Sequence, residues 1–413
     1  MQKNRENRTI CVPFVSDNYN TNIKDPSAFR KELDHNIKAY PELFPAGIEF
    51  GYELKDIHFS EKLSIFIRRI KVSGLSYTIR PSFVMPYMAG MVDDVENGLF
   101  LRKFDVPFWA LSHVFGKNPM YWYRLEQSLG RNNLVGTTVR NIESIPKDLG
   151  ADEKHSWIKG KKTYVATTVG GNCILGTAIA TDAGEKALTG AYNNFKYEAQ
   201  CLNPEYSPRT VNTDGWQWTQ NAWTTLFPHT VLIACFLHVY IKIRDRSKKK
   251  YRVLFKQVAD KMWNCYNAVT KAAFSQRVRR LHEWLLKEVD VPEAILKPIE
   301  KLHTNVKCFS IAYDFVGALR TSNMIDRLMK RMDRHLFTTQ YFHGNLVSAE
   351  LNIRGWALIH NFAPSNPLTV KKYVGLQSPA EILNGHRYHD SWLQNLLISA
   401  SQGGFYKQPL NPL

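Results

Sequence analysis

Three aspartates have the chemistry and the placement to work together in this 413-residue chain: Asp152, Asp214 and Asp326. Asp214 carries the clearest local signal. It lies between two apolar runs that read as strands, Arg209 to Asn212 and Thr230 to Cys235. Between those runs Trp216, Gln220, Trp223, Leu226 and Phe227 recur at the spacing of one helix face. In such a strand, helix, strand unit, Asp214 falls at the carboxyl end of the first strand, just before Gly215, where open α/β sheets contact their ligands. If Asp152 and Asp326 converge on it, the three form a hard oxygen ligand set that suits Mg²⁺ or Mn²⁺ better than zinc. Two such ions can activate a water or a 3′-hydroxyl and stabilise the leaving oxygen in an in-line attack on a phosphodiester. Each acid also has an ordinary structural role open to it. Asp-Gly is common turn chemistry, with Asp214 as a local helix cap; Asp152 fits an exposed position in a charged stretch; Asp326 fits the third position of a helix opened by Asn323, bonding back as in a capping box. Glu153 and Glu198 are further carboxylates that could join the cluster, and Glu350 is a fallback for the third acid.

For these acids to meet, the elements between them must fold back. Lys162 to Val169 and Cys173 to Ala180 are β-rich and separated by Gly170-Gly171, which predicts a hairpin, and Leu188 to Ala199 predicts a helix. The strand, helix, strand unit follows, so the segment reads as a mixed sheet covered by helices, α/β in class. From Tyr251 to Leu319 every apolar spacing is helical. This all-helical block, assigned to 241–320, would be an excursion between the first part of the sheet domain, 146–240, and its last part, 321–364. The helix after Asn323 carries Ile325, Leu328, Met329, Met332 and Leu336 as its apolar stripe.

Upstream, residues 1–24 read as a flexible lead and 25–145 as a mainly helical domain. Asp25-Pro26 opens a helix bearing Phe29, Leu33, Ile37 and Tyr40, and Glu61 to Lys71 is another amphipathic run, with Arg68 and Arg69. Val106 to Phe115 and Pro119 to Leu129 meet at Gly116-Lys117-Asn118, like a helix-turn-helix. Its second helix would offer Tyr121, Tyr123, Arg124 and Gln127 to a DNA groove; a helical hairpin inside a core has the same pattern. Residues 365–413 read as a helical tail opened by the capping box Ser378-Pro379-Ala380-Glu381.

Composition points to a polyanionic partner. Lys and Arg number 54 against 37 Asp and Glu, a net charge of +17, and such a surplus displaces the counterions condensed on nucleic acid. The densest basic run holds Lys242, Arg244, Arg246, Lys248, Lys249 and Lys250. No apolar run reaches the length of a membrane span, and the polar N-terminus does not read as a secretory signal. Six cysteines without a CxxC pair point to reduced, intracellular thiols. Cys235 and His238 form a C-x-x-H that supplies two zinc-type ligands without a second pair to complete a site; a buried thiol and a core histidine fit it too.

Taken in order, these motifs resemble the DDE-type transposases of the Mutator-like group and related bacterial insertion-sequence enzymes. The resemblance rests on Asp152 followed by Gly160-Lys161-Lys162-Thr163-Tyr164-Val165-Ala166; on Asp214-Gly215, Phe227-Pro228 and Cys235 to His238; on the helical block; and on Thr321 to Arg327, where Asp326 replaces the family's Glu. It covers roughly 146–364. It implies an RNase H-like sheet domain interrupted by a helical insertion, with Asp152, Asp214 and Asp326 as catalytic acids holding two Mg²⁺ or Mn²⁺ ions. The C-x-x-H would support the metal site or the DNA. The partners implied are double-stranded DNA, as transposon ends and target, and further copies of the chain, at least a homodimer; the setting implied is a prokaryotic cytoplasm. In such proteins the insertion touches the transposon end, which gives Trp263, Trp284, Arg277, Arg279 and Arg280 a possible role. A nuclease or resolvase of the same fold, or a non-catalytic DNA-binding descendant, shares the same features.

Overall fold

The computed structural model describes residues 7–87, 90–288 and 290–405, which build a mixed α/β protein on two sheets. The larger sheet comprises β5 (Asp148–Ile158), β6 (Lys161–Gly170), β7 (Cys173–Ala180), β8 (Thr210–Thr213) and β9 (Val231–Ala234); the smaller one comprises β1 (Thr9–Val12), β2 (Glu53–Ser60), β3 (Ile65–Val72) and β4 (Leu75–Pro81). Strand order in the larger sheet is β7-β6-β5-β8-β9. β5, β6 and β7 run antiparallel; β8 and β9 pair in parallel with β5 and with each other. Both hairpin turns have two residues at positive φ, Lys159 and Gly160, then Gly171 and Asn172, the primed geometry that follows strand twist. Gly170 itself is the last residue of β6, so the second turn sits one position later than the Gly-Gly pair predicts.

Each face of this sheet is buried by a different set of helices. On one, Leu149, Ala151 and Leu175 pack with Leu188, Tyr192 and Phe195 of the helix Glu185–Leu202 and Trp223 of the helix Gln217–Leu226. On the other, Val165, Val169, Ile174 and Ile179 share a core with Ile325, Leu328 and Met329 of the helix Asn323–Thr338 and Ile353 and Trp356 of the helix Leu346–Phe362. The whole apolar stripe expected of the first of these, through Met332 and Leu336, is buried. Its N-cap is Ser322 rather than Asn323, which is already helical. The expected helical block is present, with its own core of Phe255, Val258, Met262, Val278, Leu281, Leu285, Ile295 and Ile299.

The N-terminal reading needs three corrections. The run Glu61 to Lys71 is not helical: its second half is strand β3, in a sheet of order β1-β4-β3-β2 that the apolar spacing did not reveal. The lead is not loose over residues 7–24, because Ile10, Cys11 and Val12 are fully buried in β1 and Tyr19 is buried in a helix; its first six residues lie outside those described. Nor are residues 365–405 a tail. Leu393, Leu396 and Leu397 of the helix Trp392–Ser399 are buried in the same core as β1, and Ser401 Oγ bonds the Cys11 backbone N–H at 3.0 Å; residues 406–413 lie outside those described. Among the described residues no helix is long and apolar enough to cross a membrane, and all six cysteines are free thiols.

Candidate metal centre

Sheet register brings the acids together. β5 and β8 pair Asp148 with Thr210 and Gly150 with Asn212, so Asp152 and Asp214 follow just beyond the paired stretch, close enough for the Asp214 charge to act on Asp152. That face looks toward the helix Asn323–Thr338. A Cβ on Gly150 would stand 3.8 Å from Ile325 Cβ, and Asn212 Nδ2 donates to the Leu319 carbonyl at 2.9 Å. One carboxylate oxygen of Asp152, one of Asp326 and one ring nitrogen of His238 all lie within 4.8 Å of one another. Asp214 stands at the margin of this trio: it is not a member of the 4.8 Å group, but its charge acts on both Asp152 and Glu153. Its Oδ1 accepts the Trp216 N–H at 2.7 Å, so the helix-capping role and the site position coexist.

Electrostatics mark the site as short of positive charge. Burial, then the charges of Glu153, Asp214 and Asp326, push the Asp152 carboxyl up to about 8. Burial also raises Glu153 to about 7, although Tyr192 and Thr219 hydroxyls each donate to its Oε1 at 2.6 Å. Glu153 follows Asp152 along a strand and so projects toward the other face, where those two helical residues wait. His238 sits in the first turn of the helix Phe236–Ser247, and its Nδ1 is buried without a hydrogen-bond partner. Cys235, at the N-cap of that helix, reaches the site by a relay. Its S–H donates to Ser322 Oγ at 3.0 Å, and Ser322 Oγ donates to Asp326 Oδ2 at 2.7 Å. Ser322 N–H closes the link by donating to Cys235 Sγ at 3.1 Å.

These residues fit a divalent cation. Carboxylates pressed together in a buried setting gain most when a cation lies among them, and an unpartnered imidazole nitrogen is a ready ligand. Two carboxylate oxygens with one imidazole, and Asp214 at the margin, suit Mg²⁺ and, more comfortably, Mn²⁺. A cleft of about 760 Å³ adjoins the site; Asp214 and His238 line it, with Lys242, Arg246 and Lys301 and with Lys297 paired to Glu293 at 2.8 Å.

Other expected residues lie elsewhere. Glu350 accepts the Ile179 N–H at 3.1 Å on edge strand β7, two strands from β5, and so is no alternative third acid. Glu198 is buried against Arg354 and accepts the Leu134 N–H at 2.6 Å, a structural role outside the cluster. The helix Pro119–Leu129 is a core element: Trp122, Leu125 and Leu129 are fully buried, and Gln127 Nε2 and Tyr123 OH bond Ser348 at 2.5 Å and 3.2 Å. Tyr121 is half-buried and Arg124 alone of the four groove candidates is exposed, so this helix does not present a reading face. In the basic run, Lys242, Arg246, Lys248, Lys249 and Lys250 are exposed, while Arg244 is half-buried beside Asp245. Trp263 packs on Tyr240 at 5.3 Å between ring centroids, and Trp284 carries Lys261 at 4.5 Å. Arg277 donates to the Asn264 carbonyl at 2.6 Å, and Arg279 pairs with Glu283.

Sequence reasoning missed Ser322, Tyr192 and Thr219. Only Ser322 had a signal, four residues before Asp326 and so on the same side of a helix start. Compared with known proteins, the chain matches no family model and no curated protein.

Proposed function

We propose that this chain is a DNA transposase whose larger sheet is an RNase H-like catalytic domain, interrupted by the helical block and acting on phosphodiesters with divalent cations. The observation that carries the reading is the meeting of Asp152, Asp326 and His238, from three separate elements, with the charge of Asp214 reaching Asp152 from the margin. Asp152, Asp214 and Asp326 would hold the cations, with His238 as an added ligand. When bound, such ions polarise the scissile phosphate and lower the pKa of an attacking water or 3′-hydroxyl.

The chain's own groups do the rest. Lys242, Arg246 and Lys301 face the same cleft and offer positive charge to a strand leading toward Asp214 and His238, while Lys297 is paired with Glu293. Ser322 orients Asp326 through its 2.7 Å hydrogen bond, which suits a third acid one methylene shorter than Glu. Tyr192 and Thr219 fix Glu153 beneath the site. Joining of two transposon ends implies at least a dimer on DNA.

The test uses DNA carrying the chain's own flanking ends, with Mn²⁺. Wild type is expected to cut at the ends and to join a pre-cut end bearing a free 3′-hydroxyl to a target. Asp214→Asn is expected to lose both activities and keep DNA binding. Full cleavage by Asp214→Asn would refute the reading, and cleavage without joining would favour a nuclease of the same fold.

A further inference from the structure

A second large cleft, about 740 Å³, lies on the smaller sheet and shares no residue with the acidic centre. Its floor is one face of that sheet. Thr9 lies opposite Thr78 across β1 and β4, and His58 lies opposite Ile67 across β2 and β3; all four line the cleft, with Arg80 two residues beyond Thr78. Among the described residues no carboxylate lines it, whereas Arg80, Lys62 and His58 do. The Arg80 guanidinium lies against the buried Cys11 thiol across β1 and β4, but its Nε is buried and has no hydrogen-bond partner, a donor that an entering acceptor would satisfy. Across the rim stands Tyr87, 59% exposed, with a non-glycine φ of +63°. Such backbone conformations are strained, and they persist where the surroundings or a ligand require them. Arg131 lies 4.8 Å from the Tyr87 ring centroid and steadies it.

We propose that this cleft binds one nucleotide, with the phosphate at Arg80 and Lys62 and the base against Tyr87. The volume is that of a small-molecule site, well beyond a bare phosphate. An aromatic ring beside a guanidinium is a general means of holding a base and its phosphate together. The ligand is therefore a nucleotide, either free or as an unstacked unit of a single strand.

The test is calorimetry on the full chain in EDTA, so that the acidic centre is silent and the two ideas fail separately. The probes are deoxyadenosine monophosphate, deoxyadenosine and a short 5′-phosphorylated oligodeoxythymidine. Saturable binding of the monophosphate, and not of the nucleoside, supports a free-nucleotide site. Binding of the oligonucleotide alone supports a strand site. In either case Arg80→Met, checked by melting to be folded, and the rim variant Lys62→Glu should each weaken binding by about tenfold or more, the range of a lost charge-assisted hydrogen bond. The proposal is overturned if neither phosphate-bearing probe binds, or if both folded variants bind as wild type does.

Discussion

At Asp152 and Glu153, folding places negative charge where other negative charge already is. Their carboxyls rise from 3.8 to about 8 and from 4.5 to about 7, with burial as the first cause in each case. A folded-state pKa above the unfolded one means that the native protein holds these protons more tightly. The stability they contribute is therefore fully present below the unfolded values and is lost as pH climbs through the folded ones. In EDTA the melting temperature should fall between about pH 4 and pH 8, and Mn²⁺ should restore most of the loss at the upper end by binding the ionised site. Asp152→Asn should flatten the slope. A melting temperature indifferent to both pH and Mn²⁺ would mean that these acids are not coupled as described.

Among the elements, the crossing of the helices Pro119–Leu129 and Leu346–Phe362 fixes the far side of the core that supports the helix bearing Asp326. The crossing is close because both contact points are glycine: a Cβ on Gly355 would lie 2.1 Å from the Glu126 carbonyl oxygen, and one just past the first helix, on Gly130, 1.9 Å from that of Leu351. Gly355→Ala should destabilise the protein by about 1–3 kcal/mol, the usual cost of overpacking. Gly190→Ala, in the helix Glu185–Leu202 with no heavy atom near the new methyl, should instead stabilise it by roughly 0.5–1 kcal/mol. Urea midpoints of the two variants that moved in the same direction would contradict this packing. The same scale explains what the sequence made legible. β6 and β7 are rich in β-branched and apolar residues with turn residues between them, and β8 and β9 bracket a clean helical period, so that part was readable. β3 was hidden by Arg68, which a polarity pattern assigns to solvent. Here it is buried because its Nε and guanidinium donate to the Ile23 carbonyl at 3.0 and 2.6 Å. β1 is four residues long and makes sense only through its partner β4, some seventy positions on. The helix pair read as a DNA-reading hairpin failed for a related reason: spacing gives an apolar face but not what covers the opposite one.

For the whole molecule, part of the +17 charge gathers beside the acids, since Lys242, Arg246 and Lys301 line the cleft that Asp214 and His238 also line. The proposed binding of DNA there should fall steeply with salt. The double variant Lys242→Glu, Arg246→Glu should weaken binding across all sequences and reduce the log–log salt slope by about two, roughly one per lost phosphate contact; an unchanged slope would place the DNA elsewhere. Asp214, just after β8, and Asp326, in the first turn of its helix, were readable from element ends, whereas Asp152 lies inside β5; the C-x-x-H pointed to His238, but its orphaned nitrogen exists only once the helix Phe236–Ser247 docks. The most direct test of the whole account is a Mn²⁺ titration of the DNA-free protein followed by electron paramagnetic resonance, for wild type and Asp152→Asn. Wild type should bind Mn²⁺ saturably, with imidazole nitrogen coupling that disappears in His238→Ala, and Asp152→Asn should lose the site. Equal Mn²⁺ binding by wild type and Asp152→Asn would contradict the claim that these side chains form one metal centre.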